Sequence, residues 1–142
     1  MNPISVIFYP NKNGLKYYAY DINRQDIEFL NNFFKIKNID GKAELINLQN
    51  IKEVERIPDC DICFMLKLVD VLEEKGHKHS EMLIQELIKK CKHVVVSFAT
   101  SSISGKRMKY AERGWIERML ERIELKFNKI KFKNEVVYVV SK

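Results

Sequence analysis

Two charged residues stand at the ends of β-prone runs, where chemistry is often done. Asp21 lies near the end of "KYYAYDI" and Lys67 ends "DICFMLK". A carboxylate at the carboxyl end of a strand can accept two hydrogen bonds from a ribose diol; the same residue can also close a turn or cap a helix. A lysine there can meet a phosphate or a carboxylate in a cleft, or snorkel into water. A third group is the segment "TSSISGKRMK", Thr100–Lys109. Its hydroxyls (Thr100, Ser101, Ser102, Ser104), its single glycine and its cations Lys106, Arg107 and Lys109 suit a phosphate backbone and an extruded base. A solvated loop has the same composition.

Other reactive types offer less. Cys60 and Cys63 form a C-x-x-C, but Cys63 sits inside an apolar run and no second ligand pair follows, so core thiols are expected rather than a metal or redox site. The three cysteines are an odd number, and no signal peptide precedes them, which argues against a disulfide framework and for a reducing, cytoplasmic compartment. His77, His79 and His93 are scattered and read as surface residues. Trp115 can stack on RNA or pack in a core. The chain of 142 residues carries a net charge of +6, which favours an anionic partner or reflects a Lys-rich surface. No apolar run approaches the roughly 20 residues that cross a membrane.

The elements that must position these groups alternate between strand and helix. Strands are expected over Lys16–Ile22, Lys42–Leu48, Asp61–Lys67 and Lys92–Thr100. The run at Asp61–Lys67 is apolar enough to be buried on both faces, as in a parallel sheet. Ile27, Leu30, Phe33 and Phe34 keep helical spacing behind Asn23 as cap. Further helices are expected over Ser80–Cys91, with Ser80 as cap, and Glu112–Ile123. "ELKFNKIKFKNEVVYVVSK" reads as two strands turning near Lys133–Asn134. "ISVIFYP" is β-like in composition but is read as helix. The expected whole is one α/β domain over residues 1–142, a mostly parallel sheet closed by an antiparallel hairpin. In such sheets ligands bind beyond the carboxyl ends of the strands.

Taken in order, "YYAYDINRQDIEFLNNFF", "DICFMLKLVDVLEE", "VVVSFATSSISGKRM" and "NEVVYVVSK" resemble the aminoglycoside-resistance 16S rRNA (guanine-N7) methyltransferases. That family has a strand ending in "DID", a "LLLK-LP-LE" strand, a "SFPT-SL-G" loop and a closing "NELIYVI" strand. The resemblance implies a Rossmann-like class I S-adenosylmethionine (SAM) methyltransferase fold. It implies SAM as cofactor and the 16S rRNA of the small ribosomal subunit as partner. By the same resemblance Asp21, with Ile22 beside it, would hold the ribose of SAM. Asn47 and Leu48 would flank the adenine, and Lys67 would emerge into the site as a positioning group that meets phosphate or the cofactor carboxylate. No catalytic acid or base is implied, because guanine N7 is already a nucleophile and needs only alignment with the methyl carbon and sulfonium.

The chain also departs from that pattern. The family has about a hundred further residues upstream, with an RNA-binding helical region and a strand that leads into a glycine-rich "GCGFNP" turn. Here Met1-Asn2-Pro3 matches only the tail of that turn, Ala99 replaces a proline and Asn47 stands where an acid is common. The expectation is therefore an N-terminally shortened fold, either the C-terminal part of a longer protein or a natural short relative, whose own SAM affinity is weak. A non-catalytic RNA-binding protein is the alternative.

Overall fold

The computed structural model describes residues 3–9, 14–72, 76–102, 104–106, 108 and 113–142. The chain forms two compact units, Met1–Asn50 and Ile51–Lys142.

The first unit is a β-α-β unit. β1 (Tyr17–Asp21) and β2 (Gly41–Leu45) pair in parallel, with Asp21 opposite Leu45, and α1 (Arg24–Ile36) connects them. The Asn23 side chain accepts from Gln25 N–H and satisfies one of the amides that a helix start leaves unpaired. Ile27, Leu30 and Phe34 fall on one stripe of α1 and pack with Ala19, Ala43 and Val6. The Asn31 amide takes both backbone groups of Ala43, at 2.9 Å each, and so occupies β2 at that residue. The β-like string near the start forms a short 3-10 helix, Pro3–Phe8, which agrees with the helical expectation. Gly41 faces the buried Phe34 ring. A Cβ added there would lie 2.9 Å from a ring carbon, closer than packed atoms allow. Gly41→Ala should therefore lower stability by about 1–3 kcal/mol through overpacking, measured as a reduced urea midpoint with unchanged slope.

The second unit begins with a 3-10 helix, Ile51–Arg56, and contains β3 (Cys60–Leu66), α2 (Val69–Leu72), α3 (Lys78–Lys90), β4 (Cys91–Ala99), α4 (Gly114–Arg122), β5 (Lys126–Lys131) and β6 (Glu135–Ser141). The strand order is β3-β4-β6-β5: β3 and β4 are parallel, and β6 runs antiparallel to both β4 and β5. The expected closing hairpin is present. The single, mostly parallel sheet expected from the sequence is instead two sheets, each with one parallel pair, the second mixed by β6. The β-prone string that could have supplied another strand is helical.

Position in the sheet decides burial. β4 lies between β3 and β6, and its residues Val94–Phe98 are all buried. β3 lies at the sheet edge, and the expected burial of both its faces is not found. Met65 is buried, but Ile62 and Phe64 remain 48% and 43% exposed. Ser80 also differs from expectation: it is the third residue of α3 and buried, and His77 occupies the cap position. The turn through Gly76 and His77, both at positive φ, starts the helix three residues early.

Candidate functional site

In the first unit the carboxyl ends of two adjacent parallel strands bring four expected residues together. Asp21 ends β1, and its carbonyl accepts from Ile46 N–H just beyond β2. Asn47 and Leu48 follow Ile46 directly, and Ile22 follows Asp21. Asp21, Ile22 and Asn47 are exposed; Leu48 is half-buried. Asp21 Oδ1 accepts from Asn23 N–H at 2.9 Å, so the carboxylate serves the helix entry. One such bond uses a fraction of the roughly four acceptor positions of a carboxylate. Asn47 Oδ1 turns back to Gln49 N–H at 3.0 Å, so its other face is the amide NH2.

The second unit gathers a different set, which joins residues far apart in sequence. Lys67 lies one residue past β3 with φ of 55°, a left-handed backbone uncommon for a side-chain-bearing residue. Its N–H donates to Ser97 O at 3.0 Å and Ser97 Oγ at 3.2 Å. The fully buried Ser97 hydroxyl donates to Glu135 Oε1 at 2.5 Å, at the start of β6. Glu135 Oε2 lies 3.9 Å from Lys67 Nζ, and the Lys67 side chain is 54% exposed. Lys67 therefore does reach solvent from its strand end, as expected, beside a carboxylate and above a buried hydroxyl. Ser97 and Glu135 were not singled out from the sequence. Their signals were a lone hydroxyl inside "VVVSFA" and an acid opening the closing strand.

The segment after β4 is held to the same end of the sheet. Thr100 N–H donates to Asn134 O, and Met108 N–H returns to Thr100 O at 2.9 Å. A tight turn lies between them: Gly105 N–H reaches Ser102 O, Gly105 has φ of 80°, and Ser102 Oγ contacts Ser104 Oγ at 2.8 Å. Thr100 and Ser101 are half-buried; Ser102, Ser104 and Lys106 are exposed. Arg107 and Lys109, expected to meet phosphate, lie outside the described residues. Trp115 is half-buried on α4, stacks on His77 at 3.7 Å and meets Phe98 edge-on at 5.8 Å, so its ring is already engaged by protein. Among the described residues, no group of three or more His, Cys, Asp or Glu side chains could hold a metal ion, and no helix is long and apolar enough to cross a membrane.

A second polar group braces the hairpin. The Tyr138 ring is fully buried and its hydroxyl donates to Glu117 Oε1 at 2.8 Å, the oxygen that also receives Lys129 Nζ at 2.5 Å. Burial, then the bond to the Glu117 carboxylate, pushes the Tyr138 phenol up to about 12. Burial and Tyr9 do the same for Tyr17, also to about 12. An unfolded phenol titrates near 10. The folded state thus favours the neutral phenol, and that stability is complete below pH ~10 and lost as pH rises through about 12. Stability should fall steeply over that interval, and Tyr138→Phe should flatten the fall when unfolding is followed by Trp115 fluorescence.

Comparison with known proteins points one way. The sequence profile of the family described as "Ribosomal RNA methyltransferase (FmrO)" matches residues 1–139. The solved structure of the 16S rRNA methylase ArmA is similar with a TM-score of 0.68 and 26% identity, covering 99% of this chain and 68% of that one. A SAM-dependent methyltransferase from Clostridium acetobutylicum shares the fold at TM-score 0.60 and 9% identity, covering 89% of this chain and 75% of that one. So does an O-methyltransferase family protein from Burkholderia thailandensis, at TM-score 0.65 and 8% identity, covering 90% and 44% respectively. No curated protein sequence matches the chain. The fold is that of the Rossmann-like methyltransferases.

Proposed function

The chain belongs to the ribosomal RNA methyltransferase family, and from that premise we propose that its chemistry is methyl transfer from SAM to N7 of a guanine in the 16S rRNA decoding site. The observation that carries this reading is the acid at the carboxyl end of β1 beside Asn47 beyond β2, where a ribose and an adenine would be held. Asp21 has acceptor capacity for the two ribose hydroxyls. The Asn47 NH2 and the apolar Leu48 would meet the base. SAM, when bound, supplies an electrophilic methyl on a sulfonium; the residues fit its nucleoside half.

The second unit's strand ends supply the RNA contacts in this proposal. Lys106, with Arg107 and Lys109, neutralises phosphates, and the hydroxyls of Thr100, Ser101, Ser102 and Ser104 bond phosphate oxygens. The Glu135 carboxylate accepts from N1–H and N2–H of a flipped guanine, a pair of donors that adenine lacks. N7, on the opposite edge of the base, stays available to the methyl group and needs no general base. Lys67, tied to Glu135, positions that carboxylate. The work takes place in the cytoplasm, on the small ribosomal subunit, and would protect the decoding site from aminoglycosides.

The direct experiment incubates the chain with small ribosomal subunits and saturating SAM, then locates N7-methylguanine by borohydride-induced strand scission. Scission at one decoding-site guanine is the expected result. RNA binding without methyl transfer, at any SAM concentration, would instead support the non-catalytic reading. The loop adds a second check. Lys106, Arg107 and Lys109 replaced together by alanine should flatten the salt dependence of RNA binding by about two to three units in log–log slope. A control triple at Lys35, Lys89 and Lys92 should change it less. Lys90 is left in place, because its ammonium ties down Ile57 O and Glu55 O. Equal losses from the two triples would mean diffuse attraction and no loop site.

A further inference from the structure

Three thiols converge at the opposite end of the second sheet from Lys67. Cys60 and Cys91 begin the parallel strands β3 and β4 and stand directly opposite each other in the register. Their sulfurs are 2.9 Å apart. Cys63 also hydrogen-bonds Cys91. Adjacent strands lie about 4.8 Å apart, within the roughly 4.4–6.8 Å between Cα atoms that a disulfide requires. Closing the bond thus needs side-chain movement of about 1 Å, because an S–S bond is about 2.05 Å long. Cys91 is buried, whereas Cys60 is half-buried on the edge strand, so an incoming reagent meets Cys60 first.

We propose that Cys60 and Cys91 form a reversible redox-modification site whose co-reactant is a low-molecular-weight disulfide. The Cys60 thiolate attacks one sulfur of that disulfide and expels its partner as a thiolate. The Cys91 thiolate then attacks the Cys60 sulfur, joins it and expels the second thiolate. The two protein thiols lose two protons and two electrons; the small disulfide gains both and leaves as two thiols. Cys63 remains a thiol. Burial, then the hydrogen bond to Cys91 and the charges of Asp61 and Asp59, raises the Cys60 thiol to about 12, and the Cys63 hydrogen bond with burial raises Cys91. The pair is thus held reduced and slow at neutral pH, and closure should quicken about tenfold per pH unit between roughly pH 7 and 9.

The test treats the native 142-residue chain with excess oxidised glutathione at about pH 8, alkylates the remaining thiols and maps the peptides by mass spectrometry. The expected product is a chain lighter by two hydrogens, with Cys60 joined to Cys91, Cys63 alkylated, and full reversal by dithiothreitol. Cys63→Ser should retain the cross-link. Cys60→Ser, at an accessible strand start, should abolish it even if Cys91→Ser folds poorly. Alkylation of all three thiols in the native chain, a glutathione adduct that stops at Cys60, or cross-linking between chains only would each overturn the proposal.

Discussion

Glu135→Ala is expected to lower methyl transfer to small-subunit RNA by at least about a hundredfold in kcat/KM. Hydrogen bonds to a charged group are worth about 1.5–3 kcal/mol each, and tenfold in rate corresponds to about 1.4 kcal/mol. If Glu135 holds the flipped guanine as proposed, two such bonds are lost, and Lys67 loses the carboxylate 3.9 Å from its ammonium. The same change strips the acceptor from the buried Ser97 hydroxyl, at a cost of about 1–3 kcal/mol in stability. The two effects separate with Glu135→Gln. Its amide oxygen can still accept from Ser97, so the fold should hold, but its NH2 would oppose the donors of the proposed guanine contact and activity should stay low. A Gln variant with full activity would remove Glu135 from the reaction and leave it as a brace for Ser97.

Phe98→Ala should be the costliest change to the second unit, at about 3–5 kcal/mol. Phe98 is fully buried in β4. It meets Tyr138 edge-on at 6.1 Å and Trp115 at 5.8 Å, and the Arg113 guanidinium lies 5.6 Å from its ring centre. Truncation therefore opens a cavity under α4 and β6 and removes aromatic contacts worth more than their area. Whole domains are stable by only about 5–15 kcal/mol, so about a fifth or more of the total is at stake. Trp115 is the only tryptophan in the sequence, so its fluorescence reports this loss directly in a urea titration. Phe98→Leu, which keeps most of the volume, should lose less than about 1.5 kcal/mol. Similar midpoints for the two variants would show that the site collapses freely and is not a packed centre.

Where a single element carries its own signal, the sequence was readable. Asn23, Ile27, Leu30 and Phe34 announced α1, because a cap and a 3.6-residue stripe are local properties. The closing hairpin and the strand-end positions of Asp21 and Lys67 were legible for the same reason. Properties set by neighbours in space were not. "DICFMLK" has the composition of a buried strand, yet β3 lies at an edge, and an edge depends on which strands pair rather than on its own residues. Ser80 has the chemistry of a cap, but the backbone at Gly76 and His77 moved the helix start away from it. Ser97 and Glu135 are 38 residues apart and meet only through the β4–β6 register; Cys60 and Cys91 meet through that of β3 and β4. Such long-range pairs leave no periodic trace.

The edge position of β3 has a consequence for the protein in solution. An edge strand presents unpaired backbone groups that a second chain can extend, and here it also exposes Ile62 and Phe64. Copies of the chain repel one another through their common charge of +6. That repulsion reaches about 10 Å at 0.1 M salt and about 3 Å at 1 M. Concentrated salt, the usual means of stripping RNA from a basic protein, thus also removes its colloidal protection. Purification should exchange one polyanion for another, heparin for RNA, rather than pass through a stage in which the chain has neither partner nor repulsion.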